Sequence, residues 1–221
     1  MINKLIDEAL ISHGFSKEYE TDTTGFYIRE LDSAIRFAIL HKLNELPAPA
    51  ELNAIINQLV PDVFKNDPTF KKNCDLICIH HLNKLAEFKN HEEQIFAIEE
   101  DPHFFKKYVL YYSSAEESAL EDFSFEKLKA TIADKNQFID YKNDPLRANQ
   151  YSVAAKIFIK LPFLELPFNK GNLVSLRLQA AEAVAEAGLD TTYELVHKFT
   201  DKNADDMIKE IITNELANIP N

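Results

Sequence analysis

The sequence predicts a mainly α-helical, multi-helix globular protein with one small β-hairpin at about 153–177. Three observations predict it. Apolar residues recur at intervals of three and four through most of the 221 residues, the spacing of a buried helix face. Asp, Ser, Asn and Pro stand where such helices would begin, and Pro or Gly where they would end. Glycine occurs four times in 221 residues, against about 7% in ordinary proteins. That scarcity leaves no glycine-rich phosphate loop and no nucleophile elbow, and it counts against most nucleotide-binding α/β enzymes.

In chain order, residues 2–12 read as an amphipathic helix carrying Leu5, Ile6, Ala9 and Leu10, ended by Gly14. Residues 15–24 read as a loop, and Gly25–Ile28 as a short strand. Asp32 is positioned to cap a helix to about Leu46, with Ile35, Ile39 and Leu43 as its stripe. Pro49 opens a second helix through Leu52, Ile55, Ile56 and Leu59, and Pro61 ends it. Asp67-Pro68 would start the longest helix, reaching about Phe88 through Phe70, Cys74, Ile77, Cys78, His81 and Leu85. Asn90-x-x-Glu93 resembles a capping box for the helix that follows.

The stretch Glu92–Tyr112 is the densest in aromatic residues. Asp101-Pro102 reads as a helix start, and Phe104, Phe105, Tyr108, Val109 and Tyr112 then fall on one helical face, opposite Lys106 and Lys107. The sequence Asp67-Pro68-Thr69-Phe70-Lys71-Lys72 echoes Asp101-Pro102-His103-Phe104-Phe105-Lys106-Lys107 at an offset of 34 residues. The Trp, Gly and Ala positions of a tetratricopeptide repeat are missing, so a shared helix-start device explains the echo. Ser114-x-x-Glu117 reads as a capping box before an acidic helix, and 124–141 as a further helix. Lys142–Asn149 is polar and is the best internal boundary, separating a helical domain at 1–142 from hairpin plus helices at 150–221, with a single domain as the alternative. Beyond it, KIFIKLPFLEL has strand composition, and Asn169-Lys170-Gly171-Asn172 reads as a turn. Helices over QAAEAVAEA to Gly188, after Thr191-x-x-Glu194, and from Asn203 through Met207 and Ile211 complete the chain.

The net charge of −12 repels phosphate backbones, so direct nucleic-acid binding is not expected. Two cysteines, Cys74 and Cys78, are too few for a disulfide framework and point to a reducing, cytoplasmic setting. No apolar run reaches membrane-spanning length, and the N-terminus lacks the apolar core of a signal peptide.

Each chemical motif has a plainer explanation beside it. Cys74, Cys78 and His81, with His80 adjacent, could share a helical face as zinc ligands, but the spacing is not that of CxxC sites and the residues also suit a core helix. Pro61-Asp62 followed by Glu87-Phe88-Lys89 imitates the PD…ExK pattern of metal-dependent nucleases, yet both pieces sit at expected helix ends rather than on adjacent strands. Glu99, Glu100 and Asp101 could bind a metal or act as an acid–base pair, or could simply favour a helix N-terminus. His91-Glu92-Glu93 lacks the second histidine of HExxH. No catalytic residue, metal ligand, cofactor or small-molecule ligand emerges. The aromatic face Phe104, Phe105, Tyr108, Tyr111 and Tyr112 suits a helix packed into the core, and it is also the partner-binding candidate, because such residues concentrate interface energy and a face with three tyrosines is wetter than most cores.

Over 25–112, the runs IFAIEEDPHFFKKYVLYY and GFYIRELDSAIRFAILHKLNELP resemble a middle component of the bacterial ABC-three-component systems, which are similar to the Lamassu type of anti-phage defence. The resemblance implies a non-enzymatic adaptor or regulatory subunit that joins an SMC-like ATPase to an effector nuclease. No catalytic residue carries over from it. Two readings compete: a metal-dependent nuclease or hydrolase, and a stand-alone helical regulator with a winged-helix element around 153–177.

Overall fold

Three segments whose spacing suggested helices, within 32–46, 67–88 and 101–112, form instead the three parallel strands of a β-sheet. The computed structural model describes residues 1–31, 34–121, 123–167, 175–197, 205–206, 208–209 and 212–213. The expected turn at Asn169–Asn172, the cap at Asp32 and the start of the last helix at Asn203 lie outside the described residues. The chain forms two compact units, Met1–Phe168 and Asn169–Asn221.

The first unit starts with α1 (Ile2–Ser12), followed by β1 (Ser16–Glu20), β2 (Thr24–Leu31) and β3 (Ala34–Leu43). The helices α2 (Pro49–Leu59) and α3 (Asp62–Lys65) lead to β4 (Cys74–Leu82). A 3-10 turn at Leu85–Glu87 and α4 (Phe88–Glu100) then lead to β5 (Lys106–Ser113). The helices α5 (Ser114–Ser118), α6 (Phe125–Ala133), α7 (Lys135–Asn143) and α8 (Gln150–Lys160) close the unit. The five strands lie in chain order. β1, β2 and β3 form an antiparallel meander, with a register shift between Lys17 and Tyr19. β3, β4 and β5 are parallel, with Phe37 opposite Cys74 and Asp75 opposite Lys106. Both crossovers put their helices on one face, as crossovers of the same hand must when the strands follow in order.

The mainly α expectation is therefore corrected to a mixed α/β fold. The reason is physical. A strand covered on both faces is apolar at nearly every position, so a helical stripe can always be picked out of it. In β4, Cys74, Leu76 and Cys78 enter one core while Ile77 and Ile79 enter the other. The first core joins Phe26, Phe37, Ile39 and Val109 to Leu52 and Ile56 of α2, Phe64 of α3, and Ile95 and Ile98 of α4. The second joins Tyr27, Ala38 and Leu110 to Leu5, Ile6 and Ala9 of α1, Leu128 of α6, and Val153 and Ile157 of α8.

The 34-residue echo also changes meaning. Both Asp-Pro turns lead into parallel strands, β4 and β5, and neither starts a helix. Asp67 Oδ1 accepts the Thr69 amide at 2.7 Å, and Asp101 Oδ1 accepts the His103 amide at 3.4 Å. The offset is the length of one strand–helix crossover.

Among the helices, α1 and α2 follow their expected spans. The capping box lies one residue earlier than expected, with Ser113 and Glu116 as its pair. α4 begins at Phe88 with no side-chain cap, so Asn90 is inside the helix rather than before it. The 124–141 helix is two helices, because Asp134 is extended and caps α7 by accepting the Asn136 and Gln137 amides at 2.8 and 3.1 Å. Residues 153–160, expected as the first arm of the hairpin, belong to α8, which Asn149 and Ser152 cap reciprocally. No hairpin or wing is found there among the described residues, which removes the basis of the winged-helix reading.

In the second unit, α9 (Leu176–Glu186) starts at Ser175, whose Oγ accepts the Leu178 amide at 3.2 Å. Gly188, at φ +67°, ends it: its amide donates to Ala185 O and that of Leu189 to Val184 O, both at 3.0 Å. This is the paired bonding that a left-handed C′ glycine allows. α10 (Asp190–His197) follows, starting one residue before the expected Thr191 cap.

Gly25 is required by packing. A Cβ there would lie 2.8 Å from the Tyr27 hydroxyl, which donates to Asp7 Oδ1 at 2.7 Å, with the Tyr27 ring fully buried over the glycine. Gly25→Ala should therefore destabilise the chain by about 1–3 kcal/mol, the usual cost of overpacking, measured by urea unfolding. Tyr27→Phe with Gly25→Ala should cost less than the sum of the two single changes, because both act on one contact.

Candidate functional site

The segment Asp101–Ser113 holds every residue of the partner-binding candidate, and it is a loop plus an edge strand. Strand alternation splits the aromatic residues that a helix would have aligned. Phe105, Val109 and Tyr111 turn toward the core shared with α2 and α4, while Leu110 and Tyr112 turn toward the core under α1 and α8. Phe105 and Tyr112 are buried, and Tyr108 and Tyr111 are half-buried. Phe104 alone is exposed, at 44%. The single aromatic face is therefore replaced by two core anchors, two half-buried tyrosines and one free ring.

Phe104 is held there by an arrangement that starts from Lys107. The side chain of Lys107 is 0% exposed. Its Nζ lies 2.8 Å from Asp101 Oδ2 and donates to the carbonyls of Asp101 (3.4 Å), His103 and Phe105 (3.2 Å). Asp101 Oδ2 also accepts Asn53 Nδ2 of α2 at 2.8 Å, and His103 Nδ1 lies 2.8 Å from Asp101 Oδ1. Burial works against the Asp101 charge, but the hydrogen bonds from Lys107, His103 and Asn53 outweigh it and hold the carboxyl well below the usual carboxylate range. The loop is thus wrapped around one buried ammonium. Within it, Phe104 sits at φ +66°, alone among the described non-glycine residues in that region. A bulky residue persists there only where its surroundings over-determine the backbone.

Beside this loop runs the free edge of β5. Glu99 Oε1 accepts the Val109 amide at 2.8 Å, and Lys160 Nζ of α8 lies 2.8 Å from Glu99 Oε2. A carboxylate on an outward amide blunts the edge against strand addition. Next to it a groove of about 430 Å³ is lined by Leu85, Phe88, Tyr111, Leu146, Ile159 and Lys160, among others. Tyr111 stacks on Phe88 with ring centroids 4.4 Å apart. Leu146 and Ile159 are exposed.

The remaining chemical motifs come apart. Cys74, Cys78 and His80 point to one face of β4 and His81 to the other, where His81 Nε2 lies 3.0 Å from Ser114 Oγ. The two cysteines stand four steps apart along the strand, about 13 Å, too far for one ion. Burial pushes both thiols up, Cys78 to about 12. Among the described residues no three His, Cys, Asp or Glu side chains are grouped to hold a metal. Asp62 opens α3, before β4 begins, whereas Glu87 and Lys89 follow its end, a strand length of roughly 26 Å away. Lys89 pairs with Glu92, and Glu87 accepts the Asn83 amide at 3.0 Å. The three carboxylates of the acidic triplet also separate: Glu99 holds the β5 edge, Glu100 is exposed and Asp101 holds Lys107. No helix among the described residues is long and apolar enough to cross a membrane.

Sequence reasoning missed Lys107, Lys160 and the buried pair Glu116–Lys156, in which Nζ lies 2.8 and 2.9 Å from the two oxygens. Glu116 and Glu99 meet partners 40 and 61 residues away, and no local pattern marks such contacts. Lys107 left one trace: in strand register it is a charged residue in line with Phe105 and Val109.

Residues 36–136 match the family described as ABC-three component (ABC-3C) system Middle Component 1. The match covers a little under half of the chain, from β3 to the start of α7. No curated protein and no solved structure matches the chain.

Asp101→Asn should destabilise the chain by roughly 3–5 kcal/mol, because it leaves a buried ammonium without its counter-charge. Adding Lys107→Met should recover much of that loss, which a double-mutant cycle in chemical denaturation would report. Because the Asp101 carboxyl titrates lower in the fold than unfolded, its stabilising effect should hold above the ordinary carboxylate range and fade as pH falls through the folded value. At Phe104, glycine should be more stable than alanine by about 1 kcal/mol, since glycine adopts this backbone without strain. Paired thermal melts of Phe104→Gly and Phe104→Ala test this, and the opposite order would mean the backbone is unstrained.

Proposed function

We propose, from the Middle Component 1 match across 36–136, that this chain is a protein-interaction subunit of an ABC-three-component system. In that reading it works as a non-enzymatic adaptor, joining an SMC-like ATPase to an effector nuclease in anti-phage defence, in the cytoplasm and without gripping nucleic acid itself. The family match carries the reading, because it spans β3–β5, both crossovers and the loop that presents Phe104.

The disposition of the acidic side chains supports it. Glu99 and Glu116 each hold a lysine, and Asp101 holds the ammonium of Lys107 and the Asn53 amide. Acids with structural duties of this kind are poorly placed to move protons during turnover. Apolar side chains meanwhile stand in solvent at Phe104, Leu146 and Ile159, and such groups serve interfaces well.

Co-expression of the tagged chain with its neighbouring genes, followed by native mass spectrometry, is the test. A stable complex with a coiled-coil ATPase is the expected result. A chain that purifies alone, as a monomer, would sink the adaptor reading. In the assembled complex, Glu87→Gln with Lys89→Met should leave nuclease activity unchanged; its loss would favour the metal-dependent nuclease instead.

A further inference from the structure

The turn leading into β4 and the loop leading into β5 lie side by side. Lys71 of the first places its Nζ 5.2 Å from the centre of the Phe104 ring of the second. Between them is an open depression of about 500 Å³, lined in part by Lys71, Lys72, Glu100, Phe104, Lys106 and Tyr108. Its charges do not balance. Lys107 and Asp101 also line it, but they neutralise each other, and Glu99 is taken by Lys160. Lys71, Lys72 and Lys106 are exposed and make no ion pair among the described residues. Of the lining carboxylates Glu100 is left to oppose them, and Asp75, which faces Lys106 across the ladder, is already paired with Arg36. On a chain of net charge −12, this is a local field of the opposite sign. Phe104, one of its lining residues, is an exposed aromatic ring on a left-handed backbone, fixed by the carbonyls wrapped around Lys107. Two independent observations thus coincide: unpaired positive charge and a strained apolar anchor.

We propose that this depression docks an acidic segment of a partner protein, with Phe104 as the apolar anchor and Lys71, Lys72 and Lys106 contacting its carboxylates. Charge complementarity chooses the occupant. A short acidic segment brings a few carboxylates and an apolar side chain to set against the ring. A nucleic acid would carry its phosphates onward over an acidic surface that repels them, and the depression has no arginine fork to hold them. The proposal rests on the adaptor reading for the existence of a protein partner, but not for the chemistry of the surface.

The full-length chain is titrated against a fluorescein-labelled peptide alternating Glu with Leu, and separately against a 20-nucleotide single-stranded DNA, by fluorescence anisotropy. The peptide should bind, more weakly as salt rises. Phe104→Gly and Lys71→Glu/Lys72→Glu should each weaken it tenfold or more. Phe104→Gly removes strain, so its loss of binding should come without loss of thermal stability, which separates docking from folding. No peptide binding, or binding indifferent to these substitutions, overturns the proposal. DNA bound through the same residues in preference to the peptide also overturns it. Repeating the substitutions in the co-expressed complex separates the two readings. A complex that forms and ignores them keeps the adaptor and removes this surface. A peptide that binds where no complex forms keeps the surface and removes the adaptor.

Discussion

The fold depends on β4 being covered on both faces. Its side chains alternate between two cores, and each core recruits its own helices: α2, α3 and α4 on one side, α1, α6 and α8 on the other. From Cys74 to His80 the strand has no solvent face to spend on polar residues, and Asp75 shows what an exception requires. It is buried, burial raises its carboxyl above the usual range against the pull of its neighbours, and Arg36 answers it at 2.9 Å across the parallel ladder. The antiparallel meander adds strands to one side of this centre, and β5 closes the other.

At β5 the sheet must end, and the end is managed by charge. The Glu99 carboxylate takes an outward amide, Lys160 holds Glu99, and Lys107 turns inward to gather the loop before the strand. A lysine fully removed from water is tolerated because a carboxylate and three carbonyls replace its hydration. The same clamp has a consequence outside the core. It fixes a short loop tightly enough to keep Phe104 in a conformation its side chain disfavours, ring outward, next to lysines that make no ion pair among the described residues. An interaction that stabilises the fold thereby presents a rigid feature on its surface, and rigid anchors lose little entropy when a partner arrives.

The sequence by itself determined the local features. Pro49 at the start of α2, the amphipathic α1 and the left-handed stop at Gly188 each depend on residues within one or two turns, so their signals were complete where they stood. The same locality explains the resemblance to a middle component, since the run through Asp101–Tyr112 keeps its residue order whatever its secondary structure. The tertiary structure decided the rest. Whether Phe70–Phe88 or Phe104–Tyr112 becomes helix or strand depends on how many faces are covered, and only the assembled layers supply that. Whether an aromatic residue is core or surface then follows from strand alternation, which divided a single expected face among two cores and one exposed ring. The ion pairs that shape the candidate site join residues up to 61 positions apart, and a charge in sequence does not announce a partner that only packing brings within reach.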